Sequence, residues 1–126
     1  MRSKNAHMVA QFRHHFGLHV AAYPNLAPDA ALRLHHKLIS EEVAELLDAI
    51  RERDPAEVLD ALGDILYLVY GAALECGYDL DAAVNAIHEA NMAKLVDGVV
   101  HRRPDGKVLK PAGWTAPDLN ALVGVR

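Results

Sequence analysis

The sequence predicts an all-α fold, a four-helix-type bundle followed by an irregular C-terminal arm, on three observations. Apolar residues recur at steps of three and four through four stretches. Each stretch is bounded by cap residues, proline or glycine, and the connections are short enough for helices to pack as neighbours. No region supplies the alternation of apolar and polar residues that a sizeable sheet needs.

A first helix is expected over about residues 5–20, where Val9, Phe12, Phe16 and Val20 recur at helical spacing, until Tyr23-Pro24-Asn25-Leu26-Ala27-Pro28 ends it. Asp29 then reads as the N-cap of a second helix running to about Arg53, its carboxylate accepting from the free N–H of Ala31 or Leu32. Leu32, His36, Ile39, Val43, Leu46 and Ile50 draw an apolar stripe along it. Asp54-Pro55 is a cap followed by proline at the first helical position, so a third helix starts there and stops at Gly77. From Leu62 to Leu74 that helix is apolar on nearly every side and needs other helices or a second subunit around it. A fourth helix is expected from about Leu80 to Val96, closed by Asp97-Gly98. Beyond it, Arg102 to Trp114 carries prolines, glycines, basic residues and the turn signal Asp105-Gly106, which suggests an ordered arm or short hairpin. A last helical turn is expected to start at Asp118.

At 126 residues and 52% hydrophobic content, one domain over residues 1–126 is expected, with a helical core at about 5–97 and an arm at about 98–126. Thirteen Lys and Arg against 17 Asp and Glu give a net charge of -4, so no global positive field favours nucleic-acid polymers or anionic membranes. The single cysteine, Cys76, excludes an internal disulfide framework and suits a reducing compartment. With no signal-peptide pattern and charges interrupting every apolar run, a cytoplasmic protein is expected. The 8 histidines are scattered, without Cys or acidic partners at zinc-ligand spacing.

The densest chemical signal is Glu41, Glu42 and Glu45, because residues three or four apart stand on neighbouring parts of one helix face. On a helical wheel Glu42 falls inside the arc shared by Leu38, Leu46 and Ala49, where an unpaired carboxylate is costly. Asp60 and Asp64 lie four apart on the polar strip of the third helix, roughly in line with Glu57 and Glu75. The bland alternative for either set is a solvated acidic face. If the second and third helices are antiparallel, Glu42, Glu45, Asp60 and Asp64 share one site, and such hard oxygen ligands select Mg²⁺, with Mn²⁺ as a substitute, over zinc. In the fourth helix His88 and Asn91 intrude on an apolar stripe beside Lys94 and require partners. Arg102, Arg103, Lys107 and Lys110 surround the turn in the arm and can neutralise phosphate, while Trp114 is expected to pin the arm.

These stretches resemble the all-α nucleoside triphosphate pyrophosphohydrolase superfamily, which includes MazG, phosphoribosyl-ATP pyrophosphohydrolase and the dimeric dUTPases. Four motifs carry the likeness: Glu41-Glu42-Val43-Ala44-Glu45 as E-E-x-x-E, Asp60 to Tyr67 with Tyr70-Gly71, His88 to Lys94, and Asp105-Gly106-Lys107 with Lys110-Pro111 and Gly113-Trp114. The last of them looks most like the small MazG-like proteins of dUTPase type. The resemblance implies Mg²⁺-dependent hydrolysis of a nucleoside triphosphate, dUTP being the best single guess, to the monophosphate and pyrophosphate. It implies Glu42, Glu45 and Asp64 as metal ligands, Glu41 as the residue that orients or deprotonates the attacking water, and Asn91, Lys94, Lys107 and Lys110 as substrate contacts. It also implies a homodimer or homotetramer. The chain departs from the usual E-x-x-D second motif, having Ala61 three residues before Asp64. Either Asp60, one step round the helix, replaces that ligand, or the chain is a nucleotide- or metal-binding protein without turnover. A carboxylate-bridged di-iron bundle is a third class, but neither Glu42 nor Glu45 has the His three residues later that it expects.

Overall fold

A computed structural model describes residues 2–124, and its fold is all-α: four helices, α1 (Lys4–His15), α2 (Asp29–Arg51), α3 (Pro55–Glu75) and α4 (Leu80–Met92), then an irregular arm with a 3₁₀ turn at Asn120–Val123. Among the described residues extended pairing is limited to two isolated bridges, Val96 with Val99 and Arg102 with Val108. The chain forms two compact units, one ending at Asp79 and the other beginning at Leu80.

In the first unit, Ser3 caps α1 by accepting from the Ala6 N–H at 3.2 Å. The helix ends at His15, earlier than the expected residue 20, because Phe16 leaves helical geometry and Gly17 turns at φ 69°. Its buried face is Ala6, Val9, Ala10 and Arg13, whereas Phe12 and Phe16 lie outside it. Small residues let α1 approach α3 closely, and Gly71 receives the Arg13 guanidinium.

The α2 cap differs from the expectation. Asp29 is the first helical residue and Pro28 precedes it without a side-chain cap, while the Asp29 carboxylate accepts from Arg33 Nε at 2.6 Å, one turn on. The stripe is rotated as well: His35 and Ala49 are buried with Leu38, Glu42 and Leu46 half-buried, and His36, Val43 and Ile50 are exposed. Asp54 caps α3 as expected, its carboxylate accepting from Ala56 and Glu57 N–H at 3.1 Å, with Pro55 inside the first turn. The connection turns through Arg53 at φ 55°, so α2 and α3 form the main packed pair.

At its far end α3 stops at Gly77, φ 67°, where a Cβ would run into the Tyr23 carbonyl. The segment after α1 is stitched onto this end: Ala21 N–H donates to Leu74 O at 3.0 Å, Asn25 N–H to Cys76 O at 2.8 Å, and Ala27 N–H to the buried Cys76 Sγ at 3.4 Å.

In the second unit α4 ends at Met92, short of Val96, because Asp97-Gly98 serves as the turn of a minimal hairpin instead of a helix terminator. Both residues have positive φ, 51° and 72°, and Val99 N–H donates to Val96 O at 2.8 Å. A second hairpin closes around Asp105-Gly106, with Arg103 N–H to Lys107 O at 2.8 Å and Leu109 N–H to His101 O at 2.7 Å. Trp114 pins the arm to the end of α4, its indole N–H donating to Ala90 O at 2.6 Å. Asp118 opens the last turn by accepting from the Asn120 N–H at 3.0 Å.

Candidate active site

Glu42 and Asp64 each lie about two and a half turns from the α2–α3 connection, one before it and one after, so the hairpin brings them to the same level. Glu42 rises from the half-buried face of α2, and its Oε2 is buried with no hydrogen-bond partner. Loss of water pushes its carboxyl above the ordinary range. Contact with the Glu45 carboxyl adds to this, followed by repulsion from Glu45, Asp64 and Asp60. Asp64 is raised in the same way, first by loss of water, then by the charges of Asp60 and Glu45 and by a hydrogen bond shared with Asp60.

Glu42, Glu45, Asp60 and Asp64 thus feel one another across the two helices. The excess negative charge has no basic partner at Glu42 Oε2, which is the environment a hard cation relieves. Among the described residues no three His, Cys, Asp or Glu side chains form a ready-made metal cage. The carboxylates fit Mg²⁺ by chemistry, as hard oxygen donors beside open space for substrate oxygens, and not as a closed protein cage. Ala61, where the usual motif has Glu, is buried at 4% exposure, whereas Asp60 is exposed and reaches Asp64. Glu41 is exposed on α2, one residue round from Glu42.

Beside the aspartates runs an open groove of about 570 Å³ along one face of α3, lined by Ala56, Leu59, Asp60, Gly63, Asp64 and Tyr67. Tyr67 is held from behind by the edge of Phe12, centroids 5.7 Å apart and planes at 81°, and Phe12 stacks on Phe16 at 4.5 Å.

In the second unit, Lys94 and Lys110 place their ammonium groups 5.1 and 5.2 Å from the centre of the Trp114 ring. Lys107 is exposed beside the Asp105 turn, and its N–H donates to Asp105 Oδ1. Asn91 and His88 are exposed on α4, so neither is the buried polar intrusion that the helical wheel suggested.

Sequence reasoning missed one charged cluster. Glu75 does not extend the acidic strip: its Oε1 accepts from Arg13 Nη2 at 3.1 Å and faces His35 Nε2 at 3.2 Å, joining α1, α2 and α3. Arg13 also donates from Nε to the His19 carbonyl at 2.9 Å. These partners are 62 and 40 residues apart, so no local spacing announces them. The faint signal was an arginine on the apolar face of α1.

An all-α chain whose central hairpin gathers carboxylates belongs with the all-α pyrophosphohydrolases, enzymes that are generally Mg²⁺-dependent. The family profile for phosphoribosyl-ATP pyrophosphohydrolase matches residues 9–91, well over half the chain, and the chain belongs to this family. A stretch of 50 residues is 52% identical to the uncharacterized protein L479 of Acanthamoeba polyphaga mimivirus. That match takes in 40% of this chain and 20% of the viral protein, so it spans about a fifth of that relative. Among the described residues no helix is long and apolar enough to cross a membrane.

Proposed function

We propose that the chain is a Mg²⁺-dependent nucleoside triphosphate pyrophosphohydrolase. The observation that carries this reading is the crowding of Glu42, Glu45, Asp60 and Asp64 around a buried carboxylate oxygen with no partner, in a member of a pyrophosphohydrolase family. Water attacks the α-phosphorus, the bond from that phosphorus to the α–β bridging oxygen breaks, and pyrophosphate leaves with the monophosphate as second product. Bound Mg²⁺ supplies charge neutralisation on the phosphates and a position for the water. Glu42, Glu45, Asp60 and Asp64 would hold it, and Glu41 would take the water's proton. Asp60 stands in for the Glu missing at Ala61, supported by its contact with Asp64. Asn91, Lys94, Lys107 and Lys110 provide the groups that recognise the nucleotide, the lysines neutralising phosphate charge.

A homo-oligomer is part of this reading. None of the described large side chains is fully buried, and Leu62, at 49% exposure, and Leu66, at 47%, leave α3 uncovered in the single chain. Each such leucine contributes about 1.5–3 kcal/mol when buried, which favours a dimer or tetramer.

The test is a panel of nucleoside triphosphates, dUTP first and phosphoribosyl-ATP included, incubated with Mg²⁺ and followed by pyrophosphate release. Release from at least one member with the monophosphate as co-product is expected, and no release from any sinks the reading. Tight Mg²⁺-dependent binding without release would establish instead a binding protein that has lost turnover, the reading that Ala61 favours.

A further inference from the structure

Gly63 is the feature of α3 that packing within the single chain does not explain. It sits in mid-helix, where glycine is the least favourable residue after proline, yet a Cβ built on it meets nothing within 4 Å. No neighbouring backbone and no positive φ requires it. The space it keeps free is part of the groove, one residue before Asp64 and four before Tyr67. The groove has two chemical sides, one on the ridge of Asp60 and Asp64 and the other on the ridge of Leu59, Gly63 and Tyr67. Asp60 and Asp64 repel phosphate unless a cation intervenes, whereas Leu59 and Tyr67 offer apolar surface that suits a flat ring and not an anion. Tyr67 is 39% exposed and held by Phe12 behind it, so a planar group can stack on it without the ring first being ordered.

We infer that Gly63 and Tyr67 form the subsite for the nucleoside half of the substrate, Gly63 giving clearance for the sugar and base and Tyr67 the surface on which the base stacks. This rests on the nucleotide reading above and adds specificity-determining residues to it. Neither residue touches the reacting phosphorus in this assignment, so their substitution separates binding of the nucleoside from binding of the phosphates.

The experiment measures Mg²⁺-dependent affinity for two probes, dUTP with an α,β-imido bridge and inorganic tripolyphosphate, together with the melting temperature and the oligomeric mass. Gly63→Ala is expected to raise the melting temperature by roughly 4 °C, through helix propensity. It should also weaken the imido-nucleotide about tenfold while leaving tripolyphosphate unchanged. Tyr67→Leu should weaken the nucleotide by a similar factor, about that of one lost base stack, and Tyr67→Phe should restore it. Equal weakening of both probes, or unchanged nucleotide affinity in Gly63→Ala, overturns the assignment. So does a changed oligomeric mass or a lowered melting temperature in Gly63→Ala, because the clearance would then serve a second copy of the chain. If the unsubstituted protein binds neither probe, the nucleotide reading itself has failed and the subsite falls with it.

Discussion

The two units treat charge in opposite ways. On the α2–α3 hairpin, carboxylates are gathered against one another, and Glu42 Oε2 is buried with no partner. In the arm, the cations have local company: Lys94 and Lys110 lie over Trp114, and Arg103 is paired with Asp105, which lies below the ordinary carboxyl range because of that arginine. Crowded like charges raise the energy of the protein without ligand and are relieved when a cation arrives. Parked cations cost little while waiting and can be exchanged for phosphate. On the proposed reading, the first arrangement serves a site that commits to a metal and the second a surface that releases its ligand.

The contrast breaks first at Glu42. Glu42→Gln should reduce turnover by more than the roughly 10–100-fold typical of residues that merely support a metal ligand, with far-UV circular dichroism unchanged. In metal-free protein near neutral pH the same change should raise the melting temperature, since it removes a crowded charge. Full activity in this variant would remove Glu42 from the metal site.

The paired carboxylate of the same unit should respond with the opposite sign. Glu75→Gln leaves Arg13 buried without its counter-charge and should cost about 3 kcal/mol in denaturant unfolding. The exposed Asp29–Arg33 pair should contribute under about 0.5 kcal/mol. A similar small loss for both would mean that the Arg13–Glu75–His35 cluster is well solvated.

If Mg²⁺ binds the crowded carboxylates as proposed, protons compete with it there. Glu42 and Asp64 are raised, so the folded protein holds their protons more tightly than the unfolded chain does. Their stabilising contribution is full below the ordinary carboxyl range and is lost as the pH rises through their raised values. Mg²⁺ should therefore raise the melting temperature more at about pH 8 than at about pH 5, and Glu42→Gln should flatten the difference. An equal Mg²⁺ effect at both pH values would place the ion elsewhere.

The smallest effect is expected in the arm. Lys110→Ala should raise KM for the nucleotide roughly threefold, as for an exposed charge worth about 0.5–1 kcal/mol, and leave kcat unchanged. A fall in kcat of more than tenfold would make Lys110 part of the chemistry and end the contrast.

Helix number and type were legible because capping and periodicity are local: Asp54-Pro55 and Gly77 mark α3 at both ends in sequence and structure alike. Boundaries failed where one signal has two uses. Asp29 was expected to cap and instead pairs with Arg33, and Asp97-Gly98 was expected to close α4 and instead turns a hairpin. The helical wheel located Glu42 correctly among Leu38, Leu46 and Ala49, because burial on a helix follows its period. The clusters that depend on tertiary placement were not legible. Glu75 looks like one more acidic residue in line with Asp60 and Asp64 until α1 brings Arg13 to it, and Phe12 reads as core until it is found backing Tyr67.

The stitch between the segment after α1 and the end of α3 gives the protein a built-in clock. Cys76 is the only thiol in the chain, it is 2% exposed, and its sulfur accepts the Ala27 N–H. An alkylating reagent reaches it only when that segment lifts away, so the rate of single-site labelling reads the opening of one corner of the fold without any engineered probe.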